Sequence, residues 1–216
     1  MEYFLIVIYC VFCYILGWFL SGYFVVRFLG HMDIRQEGSE NPGALNAGRV
    51  LGAKGFILTL LGDGGKGAAV VAFGFQLGFS QEVVLLGLTA AVAGHIWPLP
   101  FKFRGGKGAA TFLGGLLIYH SPSLLFLLAV TALGRLFWRE FTACGLLAVL
   151  IWPIFFCFGN GQGERGLMLT ALSGVLTAII LLAHRQNIRG YYEKYYRKKD
   201  LQKNASGVRD KNGHYL

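Results

Sequence analysis

Seven apolar runs, separated by polar segments, follow one another along the chain. They are residues 3–28, 67–78, 83–98, 109–119, 124–133, 141–158 and 167–183. Glycine, proline and charged residues lie between them, which is typical of helices joined by loops. Several runs are shorter than the roughly 20 residues that a helix needs to cross a bilayer, so they must extend into their flanks or cross a thinned region. The pattern predicts an all-α, polytopic integral membrane protein with about seven transmembrane helices and short re-entrant or interfacial elements; five spans are the alternative.

The overall composition favours the same class of protein. Hydrophobic residues make up 55% of the 216 residues, charged residues make up 14%, and the mean hydropathy is +0.53. Because soluble domains usually contain about 25% charged residues, most of this chain is expected to face lipid instead of water. The net charge of +9 forms no basic stripe on a soluble fold, which argues against nucleic acid as a partner.

The distribution of lysine and arginine predicts the orientation in the membrane. With seven spans and the N-terminus outside, the outer segments are residues 1–2, 79–82, 120–123 and 159–166. Arg165 is the single lysine or arginine in these segments, and the other 19 of the 20 face the cytoplasm, as the positive-inside rule requires. We therefore expect residues 1–184 to form a transmembrane domain and residues 185–216 to form a basic cytoplasmic tail along the membrane lipid.

The four cysteines do not indicate a metal site. Cys10 and Cys13 form a C-x-x-C pair, but they lie inside the first apolar run without a second pair or a nearby histidine. Cys144 and Cys157 also lie within an apolar run, so all four are predicted to be buried, inert thiols. We expect neither a metal nor a cofactor.

A polar loop at residues 31–55 is the first candidate for chemistry. Its glycines and an Asn-Pro-Gly segment predict turns, and several short polar side chains accompany one planar cation. Long polar loops between spans are often functional. The candidate residues are Ser39, Asn41, Gly43, Asn46 and Arg49.

The hexapeptide GGKGAA occurs at residues 64–69 and again at residues 105–110, and each copy is expected to open an apolar span. Glycines let backbone N–H groups approach an anion, a helix N-terminus adds partial positive charge, and a lysine completes the cradle. The two copies therefore predict phosphate sites around Lys66 and Lys107, for two phosphates or for one phosphate held from both sides. The alternative is close helix packing with a lysine that anchors the helix at the membrane surface.

Other polar residues lie inside the apolar runs or at their ends. Asp63 precedes Lys66 by three residues near membrane depth, where a charged pair is costly and suggests a function; an ion pair on the helix surface is the alternative. His95 lies near the end of the third run, where it is either a structural, hydrogen-bonded histidine at the membrane interface or a catalytic one. His184 closes the last run and Asn187 follows one helical turn later, so both should project from one face as a general base or an orienting pair. A helix-terminal cation is the alternative for His184.

Five motifs, spread over most of the chain, are similar to those of one known family. They are Ser-Gly-Tyr at residues 21–23, DIRQEGSENPGALNAGRVLG at 33–52, LGDGGKG at 61–67, GHIWPLPFKFRGGKGAAT at 94–111 and HRQNI at 184–188. In order and spacing they resemble the bacterial acyl-phosphate:glycerol-3-phosphate acyltransferases. Such an arrangement is much more specific than a single glycine-rich loop.

The resemblance implies a function and a location. Members of that family are seven-span inner-membrane enzymes of phospholipid biosynthesis. They move a fatty acyl group from acyl phosphate to the 1-hydroxyl of glycerol-3-phosphate, giving lysophosphatidic acid and phosphate. The implied partners are acyl phosphate, glycerol-3-phosphate and membrane lipid, while the oligomeric state stays unknown. No H-x-x-x-x-D motif follows any of the five histidines, which argues against a donor such as acyl-CoA or acyl-carrier protein.

The residue patterns and the resemblance together give a set of candidate site residues. The expected catalytic residues are Ser39, Arg49, His184 and Asn187. The expected substrate-binding residues are Asn41, Gly43, Asn46, Asp63, Lys66, His95, Gly105, Gly106, Lys107, Gly108, Arg139 and Thr142. The chain departs from the family at Glu40, Leu45, Thr142 and Gly145, where the family has glycine, threonine and two serines, and in its C-terminal motif.

Acyl phosphate is already an activated mixed anhydride, so the expected mechanism depends on positioning and needs no covalent intermediate. Lys107 and its glycines would hold the acceptor's phosphate, while Arg49, Ser39 and Lys66 would stabilise charge on the acyl phosphate. The histidine–asparagine pair near the C-terminus would orient the groups. Either its histidine or the donor phosphate would accept the hydroxyl proton.

Two other functions stay open at this point. Duplicated glycine-rich half-helices also occur in transporters, so a transporter for a phosphorylated solute is one alternative. Transport predicts inverted repeats and a midplane site, whereas both hexapeptides have the same orientation and face the same side. A catalytically weakened or inactive family member, with another polyol-phosphate acceptor, is the second alternative. It is suggested by Glu40, whose carboxylate should repel an anion unless it pairs with Arg35 or Arg49.

Overall fold

A computed structural model describes residues 1–138, 140–160 and 163–207, and every regular element in these ranges is helical. The longer helices are α1 (Glu2–Gly17), α2 (Ser21–Gly30), α3 (Ala44–Gln76), α4 (Gln81–Ile96), α5 (Ala109–Tyr119), α6 (Ser121–Phe137), α7 (Phe141–Asn160), α8 (Glu164–Ala183) and α9 (Arg185–Gly207). Two 3₁₀ turns, Ile34–Gln36 and Leu99–Phe101, lie in the polar loops. The all-α prediction is confirmed for the part of the chain that the structure describes.

Five segments among the described residues are long and apolar enough to cross a membrane. They are Tyr3–Gly30, Ala44–Gln76, Gln81–Phe101, Phe141–Gly159 and Glu164–Ala183. The helices α5 and α6 are apolar but shorter, with 11 and 17 residues. These lengths agree with a polytopic membrane protein, whereas the count of seven spans is not confirmed.

The first two predicted runs differ from the observed helices for physical reasons. The run at 3–28 is divided, because α1 ends at Gly17 and α2 begins at Ser21. The run at 67–78 is the last part of α3, whose earlier part appeared too polar to continue the span. Asp63 and Lys66 are nevertheless only 1% and 6% exposed. Polar residues that face the interior of a helix bundle do not meet lipid, so one long helix can include them.

Large apolar side chains cover the outside of the first eight helices. Phe137 is 86% exposed and Phe158 is 82% exposed, and many leucines and isoleucines on these helices lie outward as well. A monomeric soluble protein rarely exposes so much contiguous apolar surface. This surface is therefore suited to contact the acyl chains of membrane lipids.

The helix α4 lies in the interior and packs against α1, α3, α5 and α8. Its Leu85 and Leu88 are fully buried in one cluster with Trp152 of α7. Small residues bring the helices close together, because a Cβ on Gly94 would overlap the carbonyl oxygen of Tyr14. The polar ends of α3, α4 and α5 are thereby fixed relative to one another.

The chain divides into two compact units, one of residues 1–183 and one that begins at His184. The first unit contains α1 to α8. In the second unit the N–H of Ile188 donates to the carbonyl of His184 at 3.0 Å. Nε of Arg189 lies 2.8 Å from Oε1 of Glu193, one turn further along α9. This helix is polar, in contrast to the apolar helices of the first unit.

Candidate active site

Asn46, on the first turn of α3, fixes the shape of the preceding loop. Its Nδ2 donates to the carbonyl oxygens of Glu37 at 2.8 Å and of Ile34 at 3.4 Å. Its Oδ1 accepts from the backbone N–H of Ser39 at 2.8 Å. The amide is buried and uses both its donors and its acceptor inside the protein. Asn46 therefore holds the backbone of Ser39, a role beyond the substrate contact expected from the sequence.

The turn that was expected around residues 41–43 starts α3. Oδ1 of Asn41 accepts from the backbone N–H of Gly43 at 2.9 Å, which is an Asx turn. Gly43 is the N-cap of α3, and its carbonyl accepts from the N–H of Ala47 at 3.1 Å. Asn41 and Gly43 thus set the direction in which the first turn of α3 leaves the loop.

A bend at Gly52 divides α3 into a short first part and a long second part. Gly52 has φ +66° and ψ −157°, a backbone conformation that L side chains rarely adopt. Across the bend, a Cβ on Gly55 would overlap the carbonyl oxygen of Ala47, so the two parts are in close contact. Arg49 lies on the short part and is exposed. The bend separates this polar start of the helix from its membrane-spanning part.

The loop before α5 folds back on the end of α4. The N–H of Gly105 donates to the carbonyl of Ile96 at 3.1 Å, and the N–H of Gly106 donates to the carbonyl of His95 at 3.0 Å. The expectation that these two N–H groups approach an anion is wrong, because both are engaged within the protein. Gly108, with φ +77°, is the N-cap of α5. The electropositive N-terminus of α5 therefore follows directly after the lysine of this loop.

Lys107 and Arg49 bring two positive charges near one another at the start of α5. Burial lowers the pKa of the Lys107 ammonium, and the nearby charge of Arg49 lowers it further. Like charges at close range destabilise each other, and an anion that lies near both relieves the repulsion. The pair is thus suited to bind a phosphate group.

Arg35 joins the loop before α3 to the loop before α5. Its guanidinium carbon lies 5.0 Å from the ring centre of Tyr23 and 5.7 Å from that of Phe101. Nη2 of Arg35 also lies 2.6 Å from Oδ2 of Asp33, and this hydrogen bond holds the pKa of Asp33 below its usual range. The two polar loops therefore lie at the same end of the first unit.

Glu40 has an unusual backbone conformation for a residue with a side chain. Its φ is +59°, in the left-handed region that favours glycine. Its side chain is exposed, and within the described ranges it forms no ion pair. The pairing with Arg35 or Arg49 that would neutralise it is therefore not formed, since Arg35 pairs with Asp33 instead.

Lys66 is buried in the first unit, and its ammonium nitrogen has four polar neighbours within the protein. Nζ donates to the carbonyl oxygen of Gly17 at 3.1 Å and to that of Phe19, and it lies 2.7 Å from Nδ1 of His95. Oδ1 of Asp63 lies 3.2 Å from the same Nζ. The pair is neutral overall and hydrogen-bonded, which is the condition under which charges are tolerated in an apolar bundle.

The two copies of GGKGAA differ in the fold. Residues 64–69 lie inside α3, so the prediction that this copy opens a helix is wrong. A Cβ on Gly67 would overlap the carbonyl oxygen of Thr111 in α5, whereas a Cβ on Gly65 would have nothing within 4 Å. The first copy therefore packs one helix against another, as the alternative interpretation stated. The second copy does open a helix, because α5 begins at Ala109.

The segment Ser21-Gly22-Tyr23 holds the start of α2 against several other elements. The N–H of Ser21 donates to Oδ1 of Asp63 at 3.2 Å. A Cβ on Gly22 would overlap the carbonyl oxygen of Pro42, so α2 lies directly against the first polar loop. The backbone carbonyls of Gly17 and Phe19, which bind Lys66, lie just before this segment. Because they are backbone groups, the pattern of side chains in the sequence did not indicate them. The position of a Ser-Gly pair at the break in the first apolar run was the available signal.

Four expected site residues remain to be located. Thr142 is half-buried on the first turn of α7, and Arg139 lies outside the described residues. His184 begins the second unit, and Asn187 lies on the first turn of α9. Their participation in the site stays a prediction.

Comparison with known proteins decides the family. A sequence profile of the glycerol-3-phosphate acyltransferases matches residues 7–194. The chain belongs to the glycerol-3-phosphate acyltransferase family. Glycerol-3-phosphate acyltransferase 1 of Desulfitobacterium hafniense (strain Y51) is 44% identical over 189 residues, which cover 84% of this chain and 88% of that protein. Glycerol-3-phosphate acyltransferase 1 of Bacillus cereus (strain ATCC 14579) is 40% identical over 179 residues, which cover 83% and 96%.

Solved structures of the same family have a similar fold. The crystal structure of PlsY (YgiH), an integral membrane glycerol 3-phosphate acyltransferase, in its glycerol 3-phosphate form has a TM-score of 0.77 and 29% identity. The lysophosphatidic acid form has a TM-score of 0.77 and 28% identity, and both alignments cover 88% of this chain and 92% of the other. The family resemblance found in the motifs and the integral membrane class are confirmed.

Proposed function

We propose that this member of the family transfers a fatty acyl group from acyl phosphate to the 1-hydroxyl of glycerol-3-phosphate, giving lysophosphatidic acid and phosphate. The main support is the approach of Arg49 to Lys107 at the N-terminus of α5. Both substrates contain a phosphate, and two neighbouring cations favour binding such a group. The names of the relatives, and the glycerol 3-phosphate and lysophosphatidic acid forms of PlsY, support the acceptor and the product.

The reaction is a single acyl transfer. The oxygen of the 1-hydroxyl attacks the carbonyl carbon of the acyl group, and an ester C–O bond forms. The bond from that carbon to the bridging phosphate oxygen breaks, and its electron pair leaves with the phosphate. The hydroxyl proton moves to the leaving phosphate or to His184. Since the anhydride is already activated, the protein contributes orientation and charge and forms no bond of its own to the acyl group.

The residues of the first unit divide this work. Lys107 holds the acceptor's phosphate, while Arg49 and Ser39 face the donor, where negative charge grows as the phosphate leaves. Asn46 supports Ser39 through the backbone hydrogen bond of 2.8 Å. Lys66 acts from inside the bundle instead of at the donor, because its Nζ already has four polar neighbours in the protein. The histidine–asparagine pair that starts the second unit orients the reacting groups.

The proposed location is the bacterial inner membrane, with the N-terminus outside and the polar loops and C-terminus in the cytoplasm. The excess of lysine and arginine in the loops and tail supports this orientation. Arg165, on the opposite side in this arrangement, pairs with Glu82, so its charge is compensated.

In a cysteine-free background, a membrane-impermeant maleimide added to intact cells should label the Ser80→Cys variant and not the Lys102→Cys variant. The reverse labelling would invert the orientation.

A direct assay tests the reaction. The purified protein in lipid or detergent receives palmitoyl phosphate and radiolabelled glycerol-3-phosphate, with palmitoyl-CoA as the parallel donor. We expect labelled lysophosphatidic acid from palmitoyl phosphate alone. Product from palmitoyl-CoA alone would contradict the proposed donor. No product from either donor with a folded protein would contradict acyl transfer and favour a transporter or an inactive family member.

A further inference from the structure

His95 fills the space between the buried ammonium of Lys66 and the loop that contains Lys107. Nδ1 of its ring lies 2.7 Å from Nζ of Lys66. On the other side of the ring, a Cβ on Gly106 would overlap Nε2. The ring is buried, and the carbonyl of the same residue accepts the N–H of Gly106 at 3.0 Å. His95 therefore contacts one position of this loop with both its ring and its backbone.

The partners of Lys66 determine which ring nitrogen of His95 has the proton. Nζ donates to the carbonyl oxygens of Gly17 and Phe19, and it lies 3.2 Å from Oδ1 of Asp63 and 2.7 Å from Nδ1 of His95. An ammonium group can only donate hydrogen bonds, so Nδ1 must accept if Lys66 is charged. If the amine were neutral, Nδ1 could donate to it, but the buried carboxylate of Asp63 would then lose its cation. A buried carboxylate without a cation is strongly destabilising, so the ammonium form is favoured. Nδ1 is then an acceptor, and the proton of the neutral ring is on Nε2.

We propose that Lys66 fixes His95 in the Nε2-protonated form, and that this form holds the Gly106 loop in the shape that receives the acceptor's phosphate at Lys107. His95 is then a positioning residue that acts through the loop and does not touch the substrate. The absence of a side chain at Gly106 is what lets the ring lie against the backbone. The inference rests on the proposed function. It adds to that function a chain of contacts from Lys66 on α3, through His95 on α4, to the loop before α5.

Two substitutions of His95 separate the two ring nitrogens. In the His95→Gln variant the amide N–H occupies the region of Nε2, whereas in the His95→Asn variant the amide lies in the region of Nδ1. We expect His95→Asn to raise the KM for glycerol-3-phosphate by about tenfold or more with kcat within about threefold of wild type, and His95→Gln to stay within about threefold in both constants. His120→Asn is the matched control, because His120 is a half-buried histidine whose Nδ1 lies 2.8 Å from Oγ of Ser123, away from this loop. Its KM should not change.

A spectroscopic measurement tests the same inference without enzyme turnover. In protein labelled with ¹⁵N at the imidazoles, long-range ¹H–¹⁵N correlations distinguish the two neutral forms and the cation. We expect an Nε2-protonated pattern that disappears in His95→Gln and changes in Lys66→Met, and that shifts when glycerol-3-phosphate is added. An Nδ1-protonated or doubly protonated His95 in the wild type would overturn the inference. If Lys66→Met does not fold, the wild-type spectrum decides.

The failure of this inference differs from the failure of the proposed function. If wild type is inactive with palmitoyl phosphate, the acyl transfer is wrong, and the dissociation constant for glycerol-3-phosphate replaces KM in the comparison of the two variants. If wild type is active but His95→Asn and His95→Gln change KM equally, or neither changes it, His95 does not position the loop. Equal shifts would identify a packing role, and no shift would remove His95 from the site.

Discussion

The guanidinium of Arg49, on α3, and the ammonium of Lys107, in the loop before α5, lie near enough that the charge of Arg49 lowers the pKa of Lys107. The bend at Gly52 follows Arg49, and α5 begins just after Lys107. Without an anion the two charges repel each other, and with one bound the repulsion becomes attraction through the ligand. The pair is therefore expected to bind a phosphate more tightly than a neutral group of the same shape.

Replacing Lys107 tests this preference. A hydrogen bond to a charged group contributes about 1.5–3 kcal/mol, so Lys107→Ala should raise the KM for glycerol-3-phosphate by about 10- to 100-fold. Because the pKa of Lys107 is lowered, the wild-type ammonium is present below that pKa and is lost as the pH rises through it. As the pH is raised, the KM for glycerol-3-phosphate should therefore begin to increase at a lower pH than it would if Lys107 had the pKa of an ordinary lysine. Steady-state kinetics at a series of pH values measure this.

Lys107→Arg is the control for both effects. Arginine keeps its charge over the whole range, so the alkaline increase in KM should disappear in this variant. Phosphate is a dianion throughout the alkaline range, since its second pKa is about 6, and does not contribute to the increase. An increase that persists in Lys107→Arg would assign it to another group. An unchanged KM in Lys107→Ala would remove Lys107 from the acceptor site.

Asn46→Ala should lower both stability and turnover. The carbonyls of Ile34 and Glu37 and the N–H of Ser39 would lose their side-chain partner, which should cost about 2 kcal/mol or more of unfolding free energy. With its backbone released, Ser39 should support a smaller kcat. Leu45→Ala is the matched control on the same turn, because Leu45 is half exposed and makes none of these bonds. The midpoint of thermal unfolding in detergent and kcat should both drop in the first variant and stay near wild type in the second.

Gly67→Ala and Gly65→Ala should differ in their effect on stability, although both lie in the first GGKGAA copy. The methyl group at 67 would overlap the carbonyl of Thr111 and force α3 away from α5, so the thermal midpoint should fall. The methyl group at 65 has open space, and alanine favours a helix over glycine by about 1 kcal/mol, so that variant should be as stable as wild type or more stable. A raised KM for glycerol-3-phosphate in Gly65→Ala would restore the phosphate-cradle interpretation of this copy.

Glu40→Gly should increase activity. Glycine adopts the left-handed conformation of this position without the steric cost of roughly 1–2 kcal/mol that a side chain has there, and the carboxylate beside Ser39 is removed. The KM for palmitoyl phosphate should fall. Glu40→Gln separates the causes, because it removes the charge and keeps the side chain. If neither variant changes KM, the carboxylate does not repel the donor, and the weakened-enzyme alternative loses its motivation.

The sequence predicted the class of fold and the identity of the polar loops well, because both depend on local pattern. Apolar runs mark helices in lipid, and the Asn-Pro-Gly segment marked the turn that starts α3. Hydropathy failed where burial compensates for charge: Asp63 and Lys66 interrupt the apolar pattern, yet α3 continues through them.

The division of labour between the two GGKGAA copies depends on tertiary contacts. The copies are identical in sequence, and their difference arises from what lies opposite each one. Lys66 meets the carbonyls of Gly17 and Phe19, which any residue types could supply, so no side-chain pattern could reveal them. The inward N–H bonds of Gly105 and Gly106 depend in the same way on the end of α4.

The buried pair of Asp63 and Lys66 has a consequence for biogenesis. A charged residue at the centre of a bilayer costs about 2.5–3.5 kcal/mol during insertion. Asp63 and Lys66 both lie in α3, whose mean hydropathy of 1.4 is the lowest of the five candidate spans, and polar partners on other helices compensate for their charges. Those partners belong to the break between α1 and α2 and to α4, which are made before and after α3. We expect α3 to insert into the membrane efficiently only when α1, α2 and α4 are present in the same chain. A glycosylation-reporter assay should show poor insertion of residues 44–76 alone and efficient insertion within residues 1–104.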